Sequence, residues 1–173
     1  MSISYASLFA IPNEAPLMPL FVLDNLRSAY NVGSIFRLAD AISPAGVILT
    51  GICCRPPNPK LGRTSRGTHA SVPWLYMPTL SEALRWVRGT GRQLVAVENG
   101  PGARTVFEAA LEPSAAFLLG NEALGVQRRA LERADIRVTF PQTGERECIN
   151  VSSTAAVVAT ELQRRRGTGG IGR

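Results

Sequence analysis

The sequence predicts one α/β domain built around a mostly parallel sheet that is flanked by helices. Short apolar runs alternate along the chain with segments of helical spacing, which is the pattern of such domains. The runs are almost continuously apolar, as expected for strands buried on both faces of a parallel sheet. The chain has 173 residues and is 45% hydrophobic, a size and composition that suit a single core.

Five apolar runs are predicted as strands, at residues 17–23, 46–52, 93–97, 115–119 and 136–140. Four helical segments lie after or between them, at residues 34–41, 81–88, 126–134 and 151–165. The last of these has apolar residues at helical spacing, including Val151, Ala155 and Leu162. The predicted core therefore extends from about residue 17 to residue 165, and we expect the tail 166–173 to be flexible.

Polar residues at the predicted helix starts are candidate N-caps. Asn31 is expected to cap the first helix, and either Thr79 or Ser81 the second. Asn150 or Ser152 is expected to cap the last helix. These caps would fix where each helix leaves the preceding loop.

Residues 54–68 are predicted to form a long, irregular and basic loop. A proline-rich and glycine-rich stretch of this length in a compact domain is more often functional than idle. Its basic side chains, which are candidate contacts to a polyanion, are Arg55, Lys60, Arg63 and Arg66. Because the first strand begins near residue 17, we expect no separate domain before it.

The net charge of +6 and the pI of about 10.0 favour a polyanionic partner, although a basic chain can also serve solubility alone. Three cysteines and one histidine, His69, argue against a disulfide framework, a metal site and a histidine-based triad. No apolar run has the length of a membrane span, and the N-terminus does not look like a secretion signal. We therefore expect a soluble protein of the cytoplasm.

Three polar segments follow predicted strands, where ligands bind in open α/β sheets. They are residues 24–40, 118–125 and 140–153. A dinucleotide-type glycine fingerprint does not follow the first strand. The only match, at Gly167, Gly169 and Gly172, comes after a helix at the end of the chain. A Rossmann-type cofactor site is therefore not supported.

Together, the three segments resemble the signature motifs of the SpoU family of RNA ribose methyltransferases, within the knotted SPOUT superfamily. The motifs have the forms Asn-x-Gly/Ala-x-x-x-Arg, Gly-Asn-Glu-x-x-Gly and Pro-x-x-Gly-x-x-x-Ser-Leu-Asn-Val-Ser. The residues that match are Asn31, Gly33, Arg37, Gly120, Asn121, Glu122, Gly125, Pro141, Gly144, Asn150, Val151 and Ser152. Cys148 stands where the family usually has serine, and Ile149 where it has leucine. The resemblance covers roughly residues 19–162.

The resemblance implies that the C-terminal segment is threaded through a loop into a deep trefoil knot, which general rules of chain topology would not suggest. It also implies a homodimer formed through this region. S-adenosylmethionine would lie in the knot and be held largely by backbone groups. The positions that match the family's cofactor site are Val97, Gly120, Phe140, Cys148 and Ile149.

The reaction that the resemblance implies is methyl transfer to a ribose 2′-hydroxyl of RNA, with tRNA favoured over rRNA because small relatives usually modify tRNA. The matching catalytic positions are Asn31, Arg37, Glu122 and Asn150. A guanidinium hardly ever deprotonates, so we expect Arg37 to hold a phosphate and align the hydroxyl rather than act as a base. Glu122 is expected to hold Arg37, and Asn31 to position Glu122 or the ribose. The resemblance also makes Arg37, Arg55, Lys60, Arg63 and Arg66 candidate RNA contacts, without the separate N-terminal RNA-binding domain that many relatives have.

Two other functions stay open at this point. One is a base methyltransferase from another branch of the knotted superfamily, against which Asn31, Arg37 and Glu122 argue as residues of the ribose branch. The other is an RNA-binding protein that kept the fold and lost the activity. All four polar positions are present, which argues against that loss, whereas the Cys148 replacement favours it.

Overall fold

The computed structural model describes Ile11, residues 18–144 and residues 149–167. Within these residues the chain forms a seven-stranded sheet with the order β3-β2-β1-β6-β4-β7-β5, in which every strand pairs in parallel with its neighbours. The strands are β1 (Leu20–Asp24), β2 (Gly46–Thr50), β3 (Trp74–Met77), β4 (Leu94–Val97), β5 (Arg104–Thr105), β6 (Ala116–Leu119) and β7 (Ile136–Thr139). The predicted fold class, a mostly parallel sheet flanked by helices, is confirmed.

Five α-helices connect and cover the strands. They are α1 (Ala29–Ile42), α2 (Pro59–Ser65), α3 (Leu80–Gly89), α4 (Arg128–Leu131) and α5 (Val151–Arg165). The longest helix in the described part of the chain has 15 residues, and none there is long and apolar enough to cross a bilayer.

Alternate residues of each strand enter two separate cores, one on each face of the sheet. Phe21 and Leu23 of β1 belong to the core that α1 and α5 cover, together with Phe36. Leu20 and Val22 belong to the core under α3. This division explains the continuous apolar runs, because both faces of every central strand must be apolar when helices cover both sides.

The five predicted strands are all present, with bounds that differ by a few residues, but two edge strands were missed. The four residues of β3 lie between Pro73 and Pro78. Prolines at both ends of so short a run favour a loop over a strand. The strand β5 has only two residues, too few for any apolar periodicity. Both lie at the edges of the sheet.

Two predictions about the first half of the chain are wrong. Residues 54–68 are not wholly irregular, since α2 lies within them. Asn58 caps this helix, and Pro59 is its first residue, a position that proline favours. Asn31 does not cap α1. Ser28 does, by accepting a hydrogen bond from the Asn31 backbone N–H at 3.3 Å, so that α1 begins five residues earlier than the predicted helix.

The remaining helices follow the predictions to different degrees. Thr79 caps α3 through a capping box with Glu82, and Asn150 caps α5, whose predicted bounds are confirmed. The predicted helix over residues 126–134 is only the four residues of α4. The Cys148 position and the tail 168–173 lie outside the described residues.

The end of α5 is fastened to the rest of the domain by Arg165, which the buried carboxylate of Glu161 holds in place. Glu161 is 2% exposed and accepts hydrogen bonds from Arg164 at 2.7 and 2.8 Å and from Arg165 at 2.6 Å. Arg165 in turn donates to the backbone carbonyls of Val106, Phe107 and Ala109. The hydrogen bonds from Arg164, and then those from Arg165, lower the pKa of Glu161 to about 2.

We expect Glu161→Gln to lower the free energy of unfolding by about 1–2 kcal/mol at pH 7, between the values for exposed and buried ion pairs. Because the folded pKa lies below the ordinary 4.5, Glu161 stabilises the fold above pH 4.5, and this contribution is lost as the pH falls toward 2. Urea unfolding at several pH values and fixed protein concentration measures both effects.

Glu132→Gln is the matched control for this experiment. It breaks the exposed Arg128–Glu132 pair, whose side chains are 92% and 59% exposed. We expect it to change stability by less than about 0.5 kcal/mol. Equal effects of the two variants would contradict the importance of the buried pair.

Candidate active site

A cavity of about 730 Å³ opens at the carboxyl ends of the strands β4, β6 and β7. These strands contribute Val97, Leu119 and Val138 to its wall. The turn after β6 and the start of α5 complete it. Parallel sheets bind ligands at this edge, and the volume lies within the range of small-molecule sites.

Four of the five residues predicted to bind a cofactor line this one cavity. They are Val97, Gly120, Phe140 and Ile149, and Cys148, the fifth, lies outside the described residues. The walls combine aliphatic side chains, polar side chains such as Glu98 and Asn99, and the turn after β6. A flat, apolar ring system flanked by polar groups is the chemistry that such a cavity suits.

The turn after β6 depends on two glycines. Asn121 and Gly125 pair through two backbone hydrogen bonds of 3.1 and 2.9 Å. A Cβ on Gly120 would lie 2.3 Å from backbone atoms of Gly125 and Val126, so a larger residue there would push the turn away. Gly125 has a φ of +66°, which other residues rarely adopt. The backbone of this turn can therefore lie close to a ligand.

Three predicted catalytic residues, one from each motif segment, form a continuous hydrogen-bonded chain beside the cavity. The Asn150 side-chain amide donates to Oδ1 of Asn31 at 3.0 Å, and the Asn31 amide donates to Oε1 of Glu122 at 2.9 Å. The sequence separations are 119 and 91 residues. Glu122 and Asn150 line the cavity, whereas Asn31 is 5% exposed and lies behind them.

Glu122 is held as a carboxylate by donors around it. Partial burial raises the pKa of this group, but hydrogen bonds from the Asn31 side chain and the backbone N–H groups of Arg27 and Ser28 outweigh burial and lower it overall. The two backbone bonds are 3.1 and 3.2 Å long. Glu122 is therefore negatively charged at neutral pH and joins the turn after β6 to the loop before α1.

The predicted contact between Glu122 and Arg37 is wrong. Arg37 is exposed and makes no hydrogen bond or ion pair within the described part of the chain. It lies six residues after Asn31 on α1, about 9 Å along the helix axis and on a different side of the helix. Asn31 therefore occupies the place beside Glu122, and the guanidinium is available to a group from outside.

The four basic residues predicted to bind RNA lie on α2 or next to it, and all are exposed. Arg55 stacks over the ring of Tyr76, with its guanidinium carbon 3.5 Å from the ring centre. Tyr76 is itself held by a hydrogen bond from its hydroxyl to the Gly51 carbonyl at 3.0 Å. Lys60, Arg63 and Arg66 extend this basic surface.

The helix α2 is packed tightly against α1. Thr64 donates a hydrogen bond to the Ala29 carbonyl at 2.9 Å. A Cβ on Gly33 would lie 2.1 Å from Oγ1 of Thr64, so only glycine allows this approach. The motif glycine therefore holds the basic surface against the helix that carries Arg37.

Several polar residues of the cavity were not predicted from the sequence, namely Glu98, Asn99, Gln142 and Thr154. Glu98 accepts hydrogen bonds from the backbone of Asn99 at 3.1 Å and Val126 at 2.7 Å. Both Glu98 and Asn99 directly follow β4, so their place at a strand end was the available signal. Gln142 and Thr154 carry no comparable signal.

Comparison with known proteins places this geometry in a family. The model of the SpoU rRNA methylase family matches residues 18–160. A 23S rRNA (guanosine-2′-O-)-methyltransferase of Neisseria meningitidis is 30% identical over 89% of this chain and 60% of its own length. A tRNA (guanosine(18)-2′-O)-methyltransferase of Thermus thermophilus is 32% identical over 84% of this chain and 74% of its own length.

Solved structures agree with this assignment. The SpoU methyltransferase AviRb from Streptomyces viridochromogenes, in complex with AdoMet, superimposes with a TM-score of 0.84 at 28% identity, covering 98% of this chain and 65% of AviRb. The chain thus spans about three fifths of the length of the relative from Neisseria meningitidis and about two thirds of AviRb. Since the family model covers most of the sequence and the motif residues converge at one cavity, the chain belongs to the SpoU rRNA methylase family.

Proposed function

We propose that this chain is an S-adenosylmethionine-dependent RNA methyltransferase that modifies a ribose 2′-hydroxyl. The observation that carries the proposal is the chain of hydrogen bonds from Glu122 through Asn31 to Asn150, which brings the three motif segments together beside the cavity. The relatives from Neisseria meningitidis and Thermus thermophilus are named as 2′-O-methyltransferases of rRNA and tRNA, respectively.

The cavity fits S-adenosylmethionine in size and chemistry. Apolar walls that include Val97, Val138 and Phe140 suit the adenine ring. The backbone of the turn beginning at Gly120, which tolerates no side chain there, allows close approach to the sugar and the amino-acid part. When bound, the cofactor supplies an activated methyl group on a positively charged sulfur.

The residues of the chain position the acceptor for this transfer. Asn150 and Glu122 fix the wall of the site, and Arg37 holds an RNA phosphate so that the 2′-oxygen lies in line with the methyl group. Orientation of this kind accounts for large rate enhancements. The Arg37 guanidinium also stabilises negative charge as it develops on the 2′-oxygen while the hydroxyl proton is lost to solvent.

The working form is a homodimer with a knotted C-terminus. In this arrangement the segment that leads into α5 passes through a loop to form a deep trefoil knot, and α1 and α5 form the contact between protomers. The exposed residues Tyr30 and Arg37 on α1, next to α5, support an interface near the site. Family membership supports the knot.

The substrate is tRNA rather than rRNA, and the reaction takes place in the cytoplasm. The tRNA relative from Thermus thermophilus is 32% identical to this chain and the rRNA relative from Neisseria meningitidis 30%. The RNA is held by the methyltransferase domain itself, through Arg37 and the basic surface of Arg55, Lys60, Arg63 and Arg66. A net charge of +6 supports this binding mode.

Incubation of the purified protein with radiolabelled S-adenosylmethionine and RNA tests the proposed activity. We expect the label to appear in nuclease-resistant dinucleotides, because 2′-O-methylation protects the neighbouring phosphodiester bond. Label in methylated bases would instead indicate a base methyltransferase, and cofactor binding without transfer would indicate an inactive relative. Transcripts of tRNA and 23S rRNA, assayed in parallel, test the substrate class.

Replacement of Arg37 tests its role in alignment. We expect Arg37→Lys to lower kcat by about 100-fold or more, because lysine cannot make the bidentate contact to a phosphate. The affinity for S-adenosylhomocysteine should not change, since Arg37 does not line the cavity. Arg85→Ala, on an exposed position of α3 on the opposite face of the sheet, is the control. Full activity of Arg37→Lys would remove Arg37 from the mechanism.

The basic surface is tested by the salt dependence of RNA binding. The double change Arg63→Ala and Arg66→Ala should weaken RNA binding and reduce the slope of log affinity against log salt by about 0.7–0.9 for each phosphate that the variant no longer neutralises. Cofactor affinity should stay the same. The Arg85→Ala control should leave the salt slope unchanged. An unchanged slope for the double variant would mean that RNA binds at another surface of the protein.

A further inference from the structure

A second cavity, of about 440 Å³, lies beside the larger cavity at the ends of β4, β6 and β7. It is formed at the carboxyl ends of β2, β1 and β6, where Ile52, Asp24 and Gly125 belong to its lining. Since β2, β1, β6, β4 and β7 are consecutive in the sheet, the two cavities lie side by side along one edge. The turn after β6 contributes to the walls of both. A ligand in the second cavity would therefore lie next to the cofactor.

Exposed aliphatic side chains line the second cavity. Ile52 is 61% exposed and Leu124 is 86% exposed, and both belong to the lining. The Ile52 backbone N–H donates to Oδ1 of Asn25 at 3.2 Å, which fixes the turn after β2. Large aliphatic side chains that are exposed together beside a ligand site are typical of a surface that binds another apolar group.

Asp24, the acidic residue of the lining, disfavours a charged ligand in the second cavity. Its carboxylate is 1% exposed and accepts hydrogen bonds from the side-chain amides of Asn25 at 2.7 Å and Gln127 at 3.1 Å. The Thr50 hydroxyl donates to it at 3.4 Å. A cation would have to displace these donors, and the carboxylate would repel a phosphate. The second cavity therefore suits an uncharged group.

The surroundings of the second cavity nevertheless attract a polyanion. Arg27 belongs to the lining, is exposed and makes no side-chain hydrogen bond or ion pair with any residue that the structure describes. The turn after β2, which contributes Ile52, also accepts a hydrogen bond from Tyr76 at the Gly51 carbonyl, and Arg55 stacks over the Tyr76 ring. The second cavity thus lies between the basic surface and the larger cavity.

We propose that the second cavity holds one unstacked base of the substrate RNA, close to the ribose that is modified. A base is uncharged and has apolar faces, so it suits the aliphatic walls, while the arginines nearby bind the phosphates on either side of it. Proteins recognise RNA sequence mainly through bases that are unstacked from their neighbours. The inference rests on the proposed function, since it takes RNA as the substrate and the larger cavity as the cofactor site.

Fluorescence anisotropy with two RNA probes tests the proposal. One probe is a random-sequence dodecamer, and the other is an abasic dodecamer with the same ribose–phosphate backbone. We expect the wild-type protein to bind the probe with bases more tightly. Ile52→Ala should weaken binding of that probe by about 3- to 10-fold, because the shorter side chain covers less of the base. Binding of the abasic probe should not change, since its phosphates contact the basic surface instead.

Phe107→Ala is the matched control, since Phe107 is 49% exposed and follows β5, at the edge of the sheet opposite to β3. It should change neither affinity. Ile52→Leu keeps the aliphatic volume and should retain the preference for the probe with bases. Because the Ile52 side chain is largely exposed, neither change at this position removes core packing. Equal weakening of both probes by Ile52→Ala, or no weakening of either, would overturn the proposal.

Cofactor binding and methyl transfer separate this inference from the proposed function. Ile52→Ala should raise KM for RNA and leave the affinity for S-adenosylhomocysteine unchanged, since Ile52 does not line the larger cavity. Methyl transfer by a wild-type protein that binds the two probes equally would overturn the base-binding cavity alone. Loss of base-dependent binding in Ile52→Ala, with no methyl transfer by the wild-type protein, would support the cavity and overturn the proposed function.

Discussion

The hydrogen bonds that link Glu122, Asn31 and Asn150 hold together three loops that are far apart in the sequence. Glu122 stays ionised because its donors outweigh its partial burial, and it thereby fixes the loop before α1 through two backbone N–H groups. Loss of either asparagine would leave a polar group beside the cavity without its partner, at a typical cost of about 1–3 kcal/mol. The position of the wall of the site depends on this small network.

The parallel sheet makes the network possible. Because β1, β4, β6 and β7 all run in the same direction, the loops that follow them emerge at one edge, and chemistry-bearing residues from distant segments meet there. The two cores on either face hold the strands in register. The same arrangement gives the cavity a rigid floor, with the ligand-facing groups supplied by turns above it.

The central strands, the last helix and the convergence of the motif segments were predictable from the sequence, because continuous apolar runs and motif order are local patterns. The edge strand β3, between two prolines, and the two-residue β5 were not, since pairing with a neighbour rather than local pattern creates them. The Asn31 side chain was expected to serve as a cap. Its contact with Glu122 was expected from the family resemblance alone, because no local pattern encodes the tertiary packing that brings the two residues together. The same holds for Arg37, which faces outward instead of toward Glu122.

The close approach of Gly33 to Thr64 affects the spacing between two parts of the surface, the basic residues of α2 and Arg37 on α1. Only the short Thr64 side chain lies between α1 and α2 at this point, so the packing of the two helices sets the separation between the basic surface on α2 and the Arg37 guanidinium on α1. Under the proposed function, this separation would determine which nucleotide reacts, counted along the folded RNA from the phosphates bound at α2.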